Sequence, residues 1–181
     1  MRSALSDTEN KRIVRRWLVT ACIVFVTLVL FDQFTKQMAV RHLKDHADII
    51  LIPGVLQLSY VENRGAAFGS MQNMQILLIG LPLIVLGGIL YCLWKMPKTR
   101  RHFFMFVTLL VLAAGALGNL IDRFLHAYVV DFIYFSLINF PVFNVADIYV
   151  TCSAFALVLL MLFYYREEDT AFLHRGEEPH E

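Results

Sequence analysis

The sequence predicts an all-α integral membrane protein: four transmembrane helices, with a small extracytoplasmic β-element between the first and the second. Three observations predict it. The 181 residues are 58% hydrophobic and 17% charged, whereas soluble domains carry about 45–50% apolar and about 25% charged residues. Four stretches reach the roughly 20 apolar residues that a bilayer-crossing helix needs. The Lys and Arg residues gather at the ends of those stretches in the alternating way that sets membrane orientation.

The first span runs from Trp17 to about Val40 and follows Lys11, Arg12, Arg15 and Arg16. That basic flank also suits a signal peptide. No small-residue cleavage site follows, however, and the apolar run passes directly into Asp32, Gln33 and Lys36, so an uncleaved span is expected. Arg41 to Asp48 is polar and reads as solvated. Ile49 to Val61 (IILIPGVLQLSYV) contains alternating apolar residues broken by Pro53-Gly54, a strand–turn–strand pattern. The second span is Met74 to Trp94, the third Phe103 to Ile121 and the fourth Asn144 to Tyr165.

Lys95, Lys98, Arg100 and Arg101 fill the connection between the second and third spans, and Arg166 follows the fourth. With the N-terminal basic cluster they define one side, the cytoplasm. Both termini are then cytoplasmic, and Arg41 to Asn73 and Asp122 to Phe143 face outward. A single membrane domain over residues 17–165 is expected, flanked by polar tails at 1–16 and 166–181 for which disorder is the default.

Several function classes are excluded or disfavoured. Basic residues sit at helix ends without an interleaved aromatic surface, so nucleic-acid binding has no support. Cys22, Cys92 and Cys152 lie inside apolar stretches with no CxxC spacing, which suits inert packing residues. His42 and His46 have the i, i+4 spacing of a metal pair but lack the Glu of a metalloprotease motif. Ser70 and Ser136 have neither a GxSxG context nor a suitably placed His.

The polar residues near the membrane boundary are the informative ones. Asp131 and Asp147 bracket a short apolar hairpin, each read as standing at the edge of a membrane helix. A carboxylate costs about 2.5–3.5 kcal/mol at the centre of an inserted helix, so two of them ask for a reason. Sixteen residues of continuous helix would hold them about 24 Å apart. Pro141 disfavours helix at Phe140, and a reversal there would return Asp147 to Asp131. Two adjacent carboxylates share a proton, because both cannot ionise easily; that is the equipment of an aspartyl protease. Asn144 and Asp147, at i and i+3, also fit a helix N-cap and capping box, which accounts for Asp147 but not for Asp131.

Gly115, Asn119 and Arg123 are spaced by four and share one helical face, suggesting a polar cleft. Asp122 is rotated about 100° from Arg123 and is free to cap or pair locally. Asp32 and Lys36, at i and i+4, suit a helical salt bridge. A proton-coupled carrier is the main alternative. Its inverted repeats have no counterpart between the two halves, and the polar residues cluster at one membrane face.

Five blocks carry a resemblance: DQFTK (Asp32–Lys36), NRGAAF (Asn63–Phe68), GNLIDR (Gly118–Arg123), VVDF (Val129–Phe132, with Asp131) and FNVAD (Phe143–Asp147). Together, in that order on four spans, they resemble the lipoprotein signal peptidase (signal peptidase II) family of bacterial membrane aspartyl peptidases. The resemblance implies removal of the signal peptide from diacylglyceryl-modified prolipoproteins, N-terminal to the lipidated cysteine. It implies Asp131 and Asp147 as the catalytic dyad. Asn63, Gly115, Asn119, Arg123, Asn144 and Ala146 would bind substrate or support the dyad, with Asp32 and Lys36 as structural support. It further implies no metal or organic cofactor, inhibition by globomycin-type cyclic peptides, contact with membrane lipids, a monomer, and a place in the bacterial inner membrane. The surface sheet, with the chain around Asn63, is expected to act as a lid.

Overall fold

The computed structural model describes residues 7–65 and 74–173, with the backbone alone in residues 7–11, 13 and 74–76. Four long helices cover the expected spans: α1 (Asp7–Leu43), α2 (Met74–Lys95), α3 (Phe103–His126) and α4 (Val145–Leu159), the last continuing as a π-turn over Leu160–Tyr164. Each contains a stretch long and apolar enough to cross a membrane. The first helix begins ten residues before Trp17, inside the segment read as a tail.

The third helix is the centre of the bundle. Half of its most apolar window is buried, against 6–11% for the other three, and it packs on α1, α2 and α4. The outward faces of the others carry large apolar side chains such as Ile84, Trp94 and Phe163, 75–81% exposed. Lipid tails are as apolar as these side chains, so such surfaces are at home in a bilayer.

Close approach of α3 and α4 depends on Gly115. A Cβ there would lie 2.6 Å from the Ala146 carbonyl oxygen and 2.9 Å from Val150 Cγ2. Gly115→Ala should therefore cost about 1–3 kcal/mol, the usual penalty for overpacking, seen as a lowered Tm in detergent. Gly88→Ala is the control, since its Cβ meets nothing within 4 Å; equal effects at the two positions would refute this account of the helix contact.

The β-element is larger than the sequence suggested. Strands β1 (Ile49–Ile52) and β2 (Leu56–Asn63) form the expected hairpin, with Gly54 at φ +68° after Pro53, a turn conformation open to glycine without strain. A third strand, β3 (Val129–Phe135), adds to β2 in antiparallel pairing, giving the order β1-β2-β3. Asp131 thus stands in a strand and not at a helix boundary. The cause is legible afterwards: Val129 to Phe135 is β-branched and aromatic, too short for a span, and its first four residues are buried, as a strand covered on both faces reads. Val130 and Phe132 pack on Ala39 and Leu43 of α1, leaving Asp131 for the opposite face.

The reversal expected near Pro141 is present. After β3 the chain makes a short 3-10 turn (Ser136–Ile138), and Asn139 takes φ +50°. Phe143 then comes back to pair with Ile133, each N–H donating to the other's carbonyl at 2.8 and 3.0 Å. Asn144 follows immediately and opens α4, so the turn delivers the start of α4 to the middle of β3.

The described part of the C-terminal segment is also ordered. A short helix α5 (Glu167–Thr170) and a 3-10 turn (Ala171–Leu173) are held by Asp169. Its carboxylate accepts from Arg101 at 2.8 Å, and its carbonyl meets His102 Nε2 at 2.9 Å. The expectation of disorder fails for these residues because it took no account of a long-range ion pair.

Candidate active site

The site is assembled where β3, the C-terminal halves of α1 and α3, the end of β2 and the first turn of α4 converge. Asp131 is only 2% exposed. Its Oδ2 accepts from Asn63 Nδ2 at 2.9 Å and its Oδ1 from Asn144 Nδ2 at 2.6 Å. Asn63 pairs with Val129 across the sheet and Val61 with Asp131, so the Asn63–Asp131 contact is a diagonal neighbour on one face.

Asp147 lies three residues into α4. Its N–H donates to Asn144 Oδ1 at 3.0 Å and its Oδ2 accepts from the Asn144 N–H at 3.1 Å, a complete capping box. Its other oxygen, Oδ1, accepts from Asn119 Nδ2 at 2.7 Å. The cap is therefore realised, and Asn144 links the two aspartates: one amide spans Asp131 and the backbone of Asp147.

Three asparagines aim N–H groups at the two carboxylates, and each orientation is fixed by an unambiguous donor on its oxygen side. Asn63 Oδ1 accepts from the Gly65 N–H at 2.9 Å. Asn144 Oδ1 accepts from Asp147 N–H. Asn119 Oδ1 accepts from Lys36 Nζ at 3.0 Å and from Asn144 Nδ2 at 3.1 Å. Backbone N–H and ammonium groups only donate, so each amide must present its NH2 to the carboxylates.

Behind this layer lies a buried charge cluster. Lys36 Nζ is 2.9 Å from Asp32 Oδ2 and 3.1 Å from Asp122 Oδ2, with all three side chains at most 4% exposed. The cluster ties four elements together. Asp32 Oδ1 accepts from the Ala146 N–H of α4 at 2.9 Å, and Asp122 Oδ2 accepts from the Val130 N–H of β3 at 3.1 Å. Gln33 Nε2 donates to the Gly118 carbonyl of α3 and to Asp122 Oδ1. A Cβ on Gly118 would collide with Asp32 Oδ2, so the glycine admits the carboxylate.

The sequence-derived set comes together almost whole. Gly115 is buried and Ala146 is fully so; their part is to let α4 close on α3 and to anchor Asp32. Arg123 is half-buried, donates to the Asn119 carbonyl at 3.3 Å, and among the described residues forms no ion pair. With Asn63, Leu78 and Ile79 it lines a small cavity of about 30 Å³. Ala66, Ala67 and Phe68 of the NRGAAF block, and Ser70, lie outside the described residues. Sequence reasoning missed Gln33, although it stands beside Asp32 inside a motif block, and left the function of Asp122 open. It also missed Glu62, which accepts from Lys44 at 3.1 Å, Arg64 at 3.0 Å and Tyr60 at 3.3 Å. Those donors hold its carboxyl down to about 2.

Burial pushes the Asp131 carboxyl up to about 6, against the donors Asn63 and Asn144, and the negative charge of Asp147 adds to the rise. A carboxyl raised in this way retains a proton under mildly acidic conditions.

Fold and site together define a polytopic membrane protein in which asparagine amides bind two aspartates into one network. Residues 24–163 match the family model described as signal peptidase (SPase) II. The lipoprotein signal peptidase of Caldanaerobacter subterraneus subsp. tengcongensis is 43% identical over 143 residues, covering 78% of this chain and 95% of its own. That of Streptococcus thermophilus is 34% identical over 147 residues, covering 81% and 93%. A bacterial membrane enzyme solved by the in meso method at 1.9 Å resolution aligns with a TM-score of 0.71 and 31% identity, covering 81% of this chain and 94% of that one. The chain belongs to the signal peptidase II family and is a multi-pass bacterial membrane protein.

Proposed function

We propose that this protein is an aspartic endopeptidase that removes the signal peptide from diacylglyceryl-modified prolipoproteins, cutting on the N-terminal side of the lipidated cysteine. The observation that carries the reading is the cage of three oriented asparagine amides around Asp131 and Asp147. Such a cage holds two carboxyl groups in place while leaving their protonation to each other.

In the proposed reaction, Asp131 begins with the shared proton, which its burial favours, and Asp147 begins as the carboxylate. Asp147 takes a proton from water as the oxygen attacks the scissile carbonyl carbon, and Asp131 gives its proton to the carbonyl oxygen, forming a tetrahedral diol. Collapse of the diol breaks the C–N bond; the leaving nitrogen takes the proton held by Asp147, and a hydroxyl proton returns to Asp131. The products are the signal-peptide carboxylic acid, which then ionises to solvent, and a free amine on the lipidated cysteine. Arg123, with unshared N–H groups beside the dyad, would bind a peptide carbonyl.

Basic residues from the start of α1, the α2–α3 connection and the end of α4 lie at the end of the bundle remote from the dyad. The positive-inside rule then supports cytoplasmic termini and an active site at the outer face, level with a lipidated cysteine. A globomycin-type cyclic peptide would compete for the same cleft, and a monomer would suffice because the site is built from one chain.

The test is cleavage of a diacylglyceryl-modified lipopeptide by the purified protein in H2(18)O, read by mass spectrometry. The reading requires one new amino terminus, at the lipidated cysteine, and one heavy oxygen in the released carboxylate. A cut elsewhere would refute it. The pH profile adds a second test. Activity needs one proton on the pair, so kcat/KM should fall along an alkaline limb as that proton is lost. Asn63→Ala removes a donor that favours the Asp131 carboxylate, so the proton is held more tightly and the limb should move to higher pH; an unmoved or lowered limb contradicts the assignment.

A further inference from the structure

At the end of the bundle remote from the dyad, α1, α2 and α3 leave a lateral cleft of about 510 Å³. Its walls are apolar and include Leu18 and Cys22 of α1, Leu90 and Trp94 of α2, and Phe106 and Leu110 of α3. Leu18, Leu90 and Trp94 are at least half exposed, so the cleft opens sideways into the hydrocarbon. Such a space does not stay empty: an unfilled void forfeits the dispersion contacts of its lining, and water finds too few polar partners there. An acyl chain is the filler at hand.

One charged residue lines this cleft, Lys98. Its Nζ donates to the Leu93 carbonyl at 2.5 Å and the Met96 carbonyl at 2.8 Å, and lies 5.7 Å from the centre of the Phe106 ring. Among the described residues it forms no ion pair. Two bonds leave one of the three ammonium N–H groups unused. The positive-inside rule explains why a lysine stands in this connection; it does not explain why the lysine folds back onto the lip of an apolar cleft.

We propose that this cleft binds an anionic phospholipid, with an acyl chain between α1, α2 and α3 and the headgroup phosphate on Lys98. Charge selects the occupant. A zwitterionic lipid fills the apolar part equally well but brings a cation of its own to the lysine. Lys95 and Arg100 stand near the same connection but do not line the cleft, and Arg101 is engaged by Asp169.

The experiment is native mass spectrometry of the full chain, released from detergent with equimolar dioleoyl phosphatidylglycerol and dioleoyl phosphatidylcholine. Wild type should retain phosphatidylglycerol about fivefold over phosphatidylcholine, the weight of one basic group near an anionic headgroup. Lys98→Gln should bring the two lipids to parity, and Lys98→Arg should keep the preference. Because Lys98 also caps α2, a second variant guards against misfolding: Cys22→Trp fills the cleft from an exposed position and should lower retention of both lipids. Equal retention of the two lipids by wild type, a preference unchanged in Lys98→Gln, or retention unchanged in Cys22→Trp would each overturn the proposal. So would a saturating signal-sequence lipopeptide that expels the bound lipid, because the cleft would then belong to the substrate helix.

Discussion

Asp147→Asn is expected to lower turnover of a diacylglyceryl lipopeptide by about 10³-fold or more, at the strong end of what a positioned acid–base group supplies. The fold should survive. Asparagine keeps one oxygen for the capping box, and loss of part of a cap costs about 1 kcal/mol. The new NH2 must then face either the Asn144 N–H or Asn119 Nδ2, the donors that the two aspartate oxygens accept from. That local conflict falls on the reacting group and not on the core. Asp131→Asn should cost a similar factor for a different reason: its carboxyl is the buried one, and an amide there has no proton to give. A Tm within a few degrees of wild type, together with lost turnover, is the expected pair of readings for each variant.

The second large effect is on both stability and rate. Lys36→Met leaves Asp32 and Asp122 buried without the ammonium they share, and breaking a buried pair by removing one partner costs about 3–5 kcal/mol. Lys36 also holds Asn119, whose NH2 meets Asp147; with the ammonium gone, only Asn144 fixes that amide. A misplaced catalytic group can cost about 10²-fold, so kcat should fall while the protein still binds substrate. Adding Asp32→Asn and Asp122→Asn removes the stranded charge and should return much of the lost Tm, but not the rate. Full recovery of both would show that Lys36 matters to the fold alone. Thermal unfolding in detergent and single-turnover kinetics on the same preparations separate the two.

What the sequence made legible follows the range of the interactions. The four spans were readable because bilayer thickness imposes a length that apolar runs either meet or miss. The hairpin was readable from Pro53-Gly54, and the capping box from the spacing of Asn144 and Asp147, both local rules. The third strand was not, because Val129 to Phe135 is, apart from Asp131, apolar on both faces, and period-two alternation is absent when both faces are covered. The C-terminal turn depends on Arg101 meeting Asp169 across 68 residues, which no local pattern announces. In the site, spacing placed Asn119 and Arg123 on one face and paired Asp32 with Lys36. It did not show that Lys36 orients Asn119, or that Asp122 fastens β3 through the Val130 N–H. Those roles exist only once α1, α3 and β3 are packed, and they turn a list of polar residues into a support for two carboxylates.

The central claim is that Asp131 and Asp147 act as one unit on one proton, and a double-mutant cycle tests it most directly. Single-turnover rates on the diacylglyceryl lipopeptide would be compared for wild type, Asp131→Asn, Asp147→Asn and the double variant, all verified as folded. Groups that act together are strongly non-additive, so the double variant should be no slower than either single one. Losses that multiply, or a folded single variant that cleaves at the wild-type rate, would contradict the dyad.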